Sequence, residues 1–165
     1  MFPIEGKGRG LDEVKGMIVL GIDPGYALMG WGVVETKAGT PVQDRLRTLQ
    51  QGIRRLVQQY HPDDVAFEEL FFARNVTTAL TVGAARGAAI IAAAEYTENL
   101  YEYTPMQIKQ ALTGWGKADK KQIQQMVKFL LHLEAIPRPD DAADGIAAAI
   151  THIQAGAAKS QFKMK

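Results

Sequence analysis

Met17-Ile18-Val19-Leu20-Gly21-Ile22-Asp23-Pro24-Gly25 decides the reading of this chain. A short apolar run rich in β-branched residues predicts a central strand buried on both faces. Such a strand has no water to offer a carboxylate, so Asp23 belongs just past its end, where Pro24 and Gly25 turn the chain. Ligands in open α/β sheets bind at that place. Asp-Pro-Gly is equally good turn chemistry with no further role. The two readings separate on whether other carboxylates arrive at the same end of the sheet.

Working outward, Gly30-Trp31-Gly32-Val33-Val34-Glu35 predicts a second strand returning antiparallel to the first. Val42, Leu46, Leu49, Ile53, Leu56, Val57 and Tyr60 recur at helical spacing, which predicts an amphipathic helix over 42–60, with Pro62 after its end. Val65-Ala66-Phe67-Glu68 predicts a strand parallel to the first, because a helix leads into it. Glu68 ends it much as Asp23 ends the other. Asn75 is the expected cap of a helix from about 76 to 96 whose Ala and Gly content permits close approach of another backbone. That approach serves packing on the sheet or a partner subunit's helix. Leu100 to Tyr103 predicts a short strand, and Thr104-Pro105 the cap and first position of the next helix. Two further helices are expected, from about Asp119 to Leu131 and from Asp140 onward.

A chain of 165 residues, 47% of them hydrophobic, fits one domain with an ordinary core. The core is expected over 17–155, with 1–16 an extension outside it and 156–165 a basic tail. With no cysteine, disulfides and thiolate metal sites are excluded. The absence of an apolar leader and of any charge-free stretch of membrane-spanning length points to the cytoplasm and away from a membrane. The net charge of +1 conceals clustering. Between Tyr101 and Leu131, Lys109, Lys117, Lys120, Lys121 and Lys128 face only Glu102 and Asp119, and Lys159, Lys163 and Lys165 follow in the tail. One basic face suits nucleic acid, although each lysine alone reads as a solvated helix surface.

Asp141 and Asp144 are spaced to share one side of the last helix's first turn, and Asp140 and Asp144 are spaced to interact. Helix-start aspartates also cap and meet the positive end of the dipole, and that explanation stays open. It covers three of them less well than one. A site that gathered Asp23 and Glu68 as well would need a cation. Hard oxygen ligands without cysteine or adjacent histidine favour Mg²⁺ or Mn²⁺ over Zn²⁺. Two such ions roughly 4 Å apart can hold the attacking and leaving oxygens of a phosphodiester in line.

Five motifs, in order, carry a resemblance: Gly21-Ile22-Asp23-Pro24-Gly25; Phe67-Glu68-Glu69-Leu70-Phe71-Phe72; Val82-Gly83 with Ala85-Arg86-Gly87; Tyr103-Thr104-Pro105 with Gln107-Ile108-Lys109-Gln110; and Asp140-Asp141-Ala142-Ala143-Asp144. From about Met17 to His152 the chain resembles the RuvC family of bacterial Holliday junction resolvases. The resemblance implies an α/β fold with a ribonuclease H-like mixed sheet flanked by helices. It also implies a homodimer that makes paired, Mg²⁺-dependent nicks in four-way junction DNA, alongside the RuvA and RuvB branch-migration proteins. On matching positions the catalytic and metal-binding carboxylates are Asp23, Glu68, Asp141 and Asp144, with Glu69 and Asp140 outside the set. Phe71 matches the family aromatic that stacks on an unpaired base, and Lys109 and Lys120 match lysines near the cleaved strand. Arg74 and Lys117 join them as candidate DNA contacts, and the Ala/Gly-rich helix matches the dimer helix. One edge strand of the family sheet is missing, because only Thr36 to Pro41 separates Glu35 from the first helix. Two rivals are a non-catalytic junction-binding protein and a fragment of an actin-like ATPase. Retention of four carboxylates argues against the first, and a chain too short for two lobes argues against the second.

Overall fold

The computed structural model describes residues 16–23, 36, 39–70 and 76–165. The elements run β1 (Val19–Ile22), α1 (Val42–Tyr60), β2 (Asp64–Glu68), α2 (Val76–Ala94), β3 (Leu100–Tyr103), α3 (Pro105–Thr113), α4 (Lys120–Leu130) and α5 (Asp140–Ala155), followed by a 3-10 turn, Gly156–Phe162. β1, β2 and β3 form a parallel sheet in that order, with Ile22 opposite Phe67 and Glu68 opposite Tyr103. The expected antiparallel strand Gly30–Glu35, the Asn75 cap and nearly all of the 1–16 segment lie outside the described residues. The parallel part of the sheet is what positions the site.

Side chains alternate across the sheet, as the strand period requires. Leu20, Ile22, Val65, Phe67 and Leu100 join a core with Leu49, Ile53 and Val57 of α1 and Ala85, Ala89 and Ala93 of α2. On the other face Ala66, Tyr101 and Tyr103 pack with Ile108 and Leu112 of α3, Ile123 and Val127 of α4, and Ile146 and Ile150 of α5. With helices on both faces, the strands read as continuous apolar runs. Parity then fixes the site. Asp23 shares the face of Gly21, and Glu68 shares the face of Ala66, so both point toward α3, α4 and α5.

Gly21 sets how closely α5 can lie on β1. A Cβ there would stand 1.9 Å from the Gly145 carbonyl oxygen and 2.9 Å from the Ala149 Cβ. Only a glycine permits this approach, which brings the start of α5 against the end of β1. Local signals define the flanking helices. Thr104 caps α3 and Asp119 caps α4, each in a reciprocal capping box with the glutamine three residues on. The segment after α5 closes the β3 side of the sheet. Met164 N–H donates to the Leu100 carbonyl at 2.9 Å, Lys163 makes an antiparallel bridge to Tyr101, and Phe162 lies 4.8 Å from the Tyr103 ring.

Candidate active site

The last helix, α5, is preceded at its N-cap by Pro139, and no side chain caps it. The aspartates of its first turn are therefore not occupied as caps. Instead, one carboxylate oxygen from each of Asp23, Asp141 and Asp144 lies within 4.8 Å of the others. Glu68 stands beside this trio rather than inside it. It lines an adjoining cavity of about 250 Å³ with Asp144, Lys109 and Lys120, walled by Pro105, Ile108, Ile123 and Ala147. Strand parity and the close β1–α5 contact bring together carboxylates that are far apart in sequence.

The crowding has an electrostatic signature. Burial, then the charges of Asp144 and Asp141, push Asp23 up to about 7, against the pull of Lys120. Burial, then Asp23 and Asp144, push Glu68 up to about 8, against Lys109 and Lys120. Burial also raises Asp144, although Lys120 opposes it. Lys120 is the main internal counter-charge, 3.0 Å from Asp144 and 3.7 Å from Asp140. Its burial works to lower its own pKa, but these aspartates outweigh that and hold it raised. Lys120 and Lys109 together do not neutralise four carboxylates. The centre attracts cations, and its all-oxygen donor set fits a hard divalent ion.

Among the expected DNA contacts, Lys109 and Lys120 share the carboxylate cavity. Lys117 lies elsewhere, in a groove of about 850 Å³ with Met106, Trp115 and Phe162. Phe71 and Arg74 lie outside the described residues. Asp140, which the motif left outside the carboxylate set, pairs with Lys120, and its charge also helps to raise Asp144. Sequence reasoning missed the pairing of Lys120 with Asp144. The available signal was Asp119, a strong cap that puts Lys120 at the first position of α4.

Fold and site together define an α/β protein with a cation-attracting carboxylate centre at the carboxyl ends of parallel strands. The family model described as "Crossover junction endodeoxyribonuclease RuvC" matches residues 19–152. The chain is 46% identical over 164 residues to the protein of that name from Alkaliphilus oremlandii, covering 90% of this chain and all of the relative. It is 51% identical over 150 residues to the one from Rubrobacter xylanophilus, covering 82% of this chain and 84% of the relative. The Thermus thermophilus RuvC structure superposes with a TM-score of 0.78 at 36% identity, covering 88% of this chain and 98% of that one. The same protein in complex with Holliday junction substrate gives 0.77 at 35% identity, covering 84% and 94%. The chain belongs to the RuvC family of crossover junction endodeoxyribonucleases, and its fold is ribonuclease H-like.

Proposed function

We propose that this protein is a Holliday junction resolvase that hydrolyses one phosphodiester in each of two opposed strands of a four-way DNA junction. The observation that carries the reading is the convergence of Asp23, Asp141 and Asp144 within 4.8 Å, with Glu68 alongside, in a chain of this family. On this reading residues 17–155 are the nuclease domain, and the protein acts in the cytoplasm.

Asp23, Glu68, Asp141 and Asp144 would hold Mg²⁺, two ions per site, with Mn²⁺ as a substitute. The bound ions would supply charge neutralisation at the scissile phosphate and activation of water. The chain's own groups do the rest. The raised carboxyls of Asp23 and Glu68 hold protons in the metal-free protein near neutral pH, which limits repulsion until a cation replaces them. Lys109 and Lys120, on the rim of the same cavity, offer charge to phosphates of the cleaved strand. Phe71, Arg74 and Lys117 are the remaining proposed DNA contacts.

The partners are a second copy of this chain and, by family, RuvA and RuvB. Support for the homodimer comes from α2. Leu80 and Ile91 are 71% and 56% exposed, and a Cβ on Gly83 or Gly87 would meet nothing within 4 Å. Among the described residues that is an exposed, apolar, close-approach face that suits a matching helix.

The test is nicking of a synthetic four-way junction with end-labelled strands, in Mg²⁺ or in chelator, with wild type and Glu68→Gln. Paired, metal-dependent nicks that vanish in the variant are expected. Binding without nicking by the folded wild type would favour the junction-binding reading instead.

A further inference from the structure

Along α5 one stripe faces the sheet: Asp141, Gly145, Ala148 and Ala149, and His152, following the helical repeat. Its upper end carries the carboxylates. Its middle is smooth, because Gly145 against Gly21 allows proximity but offers no side chain that interlocks. Ile146 and Ile150 beside it pack into the core with Ala66, Tyr101 and Tyr103, but these contacts are apolar and carry no directional bond that would set the helix's fine rotation and height along the sheet. His152 is at the lower end, eight residues after Asp144 and roughly 12 Å along the axis.

His152 is fully buried and both ring nitrogens are engaged. Nε2 is 2.8 Å from Asp64 Oδ2 at the start of β2, and Nδ1 is 2.8 Å from Tyr103 Oη at the end of β3. Tyr101 stacks on the ring at 4.4 Å. Asp64 also accepts from Lys159 of the segment after α5. The hydrogen bonds of Lys159 and His152 hold Asp64 below the ordinary carboxyl range despite its burial, and burial holds His152 below the ordinary imidazole range. The partners therefore assign a neutral ring, with Nε2–H donating to the ionised Asp64 and Nδ1 accepting from the Tyr103 hydroxyl. Tyr103 is opposite Glu68, and Asp64 opens the strand that Glu68 ends.

We propose that His152 is a positioning residue for the acidic centre. By joining α5 to β2 and β3 at one point, it adds directional bonds to the apolar packing and so sets the fine rotation and height of the helix, and hence where Asp141 and Asp144 stand relative to Asp23 and Glu68. This rests on the nuclease reading above. A hydrogen-bonded histidine can orient only when both partners are themselves fixed, and here both are buried in the sheet. Displacing carboxylates by a fraction of an ångström loosens a cation site and misaligns the reacting phosphate together.

The test compares wild type with Tyr103→Phe, which removes one hydroxyl and keeps the ring, and His152→Gln, which keeps a donor for Asp64. Mn²⁺ affinity is read by electron paramagnetic resonance, junction affinity by titration, and chemistry by single-turnover nicking. Ring ¹⁵N shifts confirm loss of the Nδ1 bond in Tyr103→Phe, and circular dichroism confirms folding at the assay temperature. Both variants should bind junction as wild type does, while Mn²⁺ binding weakens roughly fivefold or more and the nicking rate falls roughly tenfold or more. Folded variants that melt earlier but keep Mn²⁺ affinity and nicking rate within about twofold overturn the proposal and leave His152 a stabilising residue only. Should His152→Gln fail to fold, Tyr103→Phe decides alone. Should wild type nick nothing, the nuclease reading fails, and Mn²⁺ affinity still judges the positioning role.

Discussion

Asp141→Asn should stabilise the metal-free protein while destroying its activity, and the pH dependence of that stabilisation follows from the structure. Asp141 offers an oxygen within 4.8 Å of oxygens on Asp23 and Asp144. At that spacing and an effective dielectric near 20, two full charges repel by about 3 kcal/mol. Lys120 and solvent screen the group, and the variant gives up roughly 0.3–1 kcal/mol of helix-dipole stabilisation. The net gain in chelator near pH 8.5 is therefore about 1–2 kcal/mol. Asp23 is raised to about 7 and Glu68 to about 8, so the folded protein keeps protons that the unfolded chain has already released. Their contribution to stability is fully present below the ordinary carboxyl value near 4 and is lost as pH rises through 7 to 8. Near pH 5.5 Asp23 is already neutral, and the gain from Asp141→Asn should shrink to about 0.5 kcal/mol or less. Urea denaturation in chelator at both pH values measures this directly. A gain of equal size at both, or a loss at the higher pH, would refute the account of crowded charges. Added Mg²⁺ should reverse the order, because only wild type has the full ligand set to couple binding to folding. Nicking should fall by about a thousandfold, with junction affinity within a few-fold of wild type.

Three further outcomes follow from the same geometry. The Mg²⁺ concentration for half-maximal nicking should drop as pH rises through 7 to 8, by up to about tenfold per pH unit for each proton displaced; titrations at several pH values would show this, and a flat profile would mean that Asp23 and Glu68 are already ionised. Gly21→Ala places a methyl where the Gly145 carbonyl lies, so thermal melts should show a loss of about 1–3 kcal/mol, with nicking reduced further than the residual folded fraction explains. Leu80→Arg on the exposed face of α2 should turn a dimer into a folded monomer in sedimentation, and an unchanged dimer would place the interface elsewhere.

Much of the architecture was legible locally. The apolar run before Asp23 is β1, and the heptad-like spacing from Val42 gives α1 with the expected bounds, Val42–Tyr60. Thr104-Pro105 opens α3 through the capping box that its sequence announces. These features depend on neighbours within a few residues, and so sequence spacing carries them. The four carboxylates were named by family motif, and three of them meet in the closest group.

What the sequence by itself determined, among the described residues, is the three parallel strands, the five helices and the residue types at their ends: Asp23 after β1, Glu68 at the end of β2, and aspartates at the start of α5. Only the tertiary structure decided which face each strand residue takes, that Gly21 admits α5 closely enough to gather Asp141 and Asp144 around Asp23, and that Lys120 is their counter-charge. It alone joined His152 to Asp64 across 88 positions of chain. The physical reason is range. Strand and helix periods are written in adjacent residues, whereas pKa shifts, close packing and buried hydrogen bonds arise between groups that only the crossovers and the register bring together.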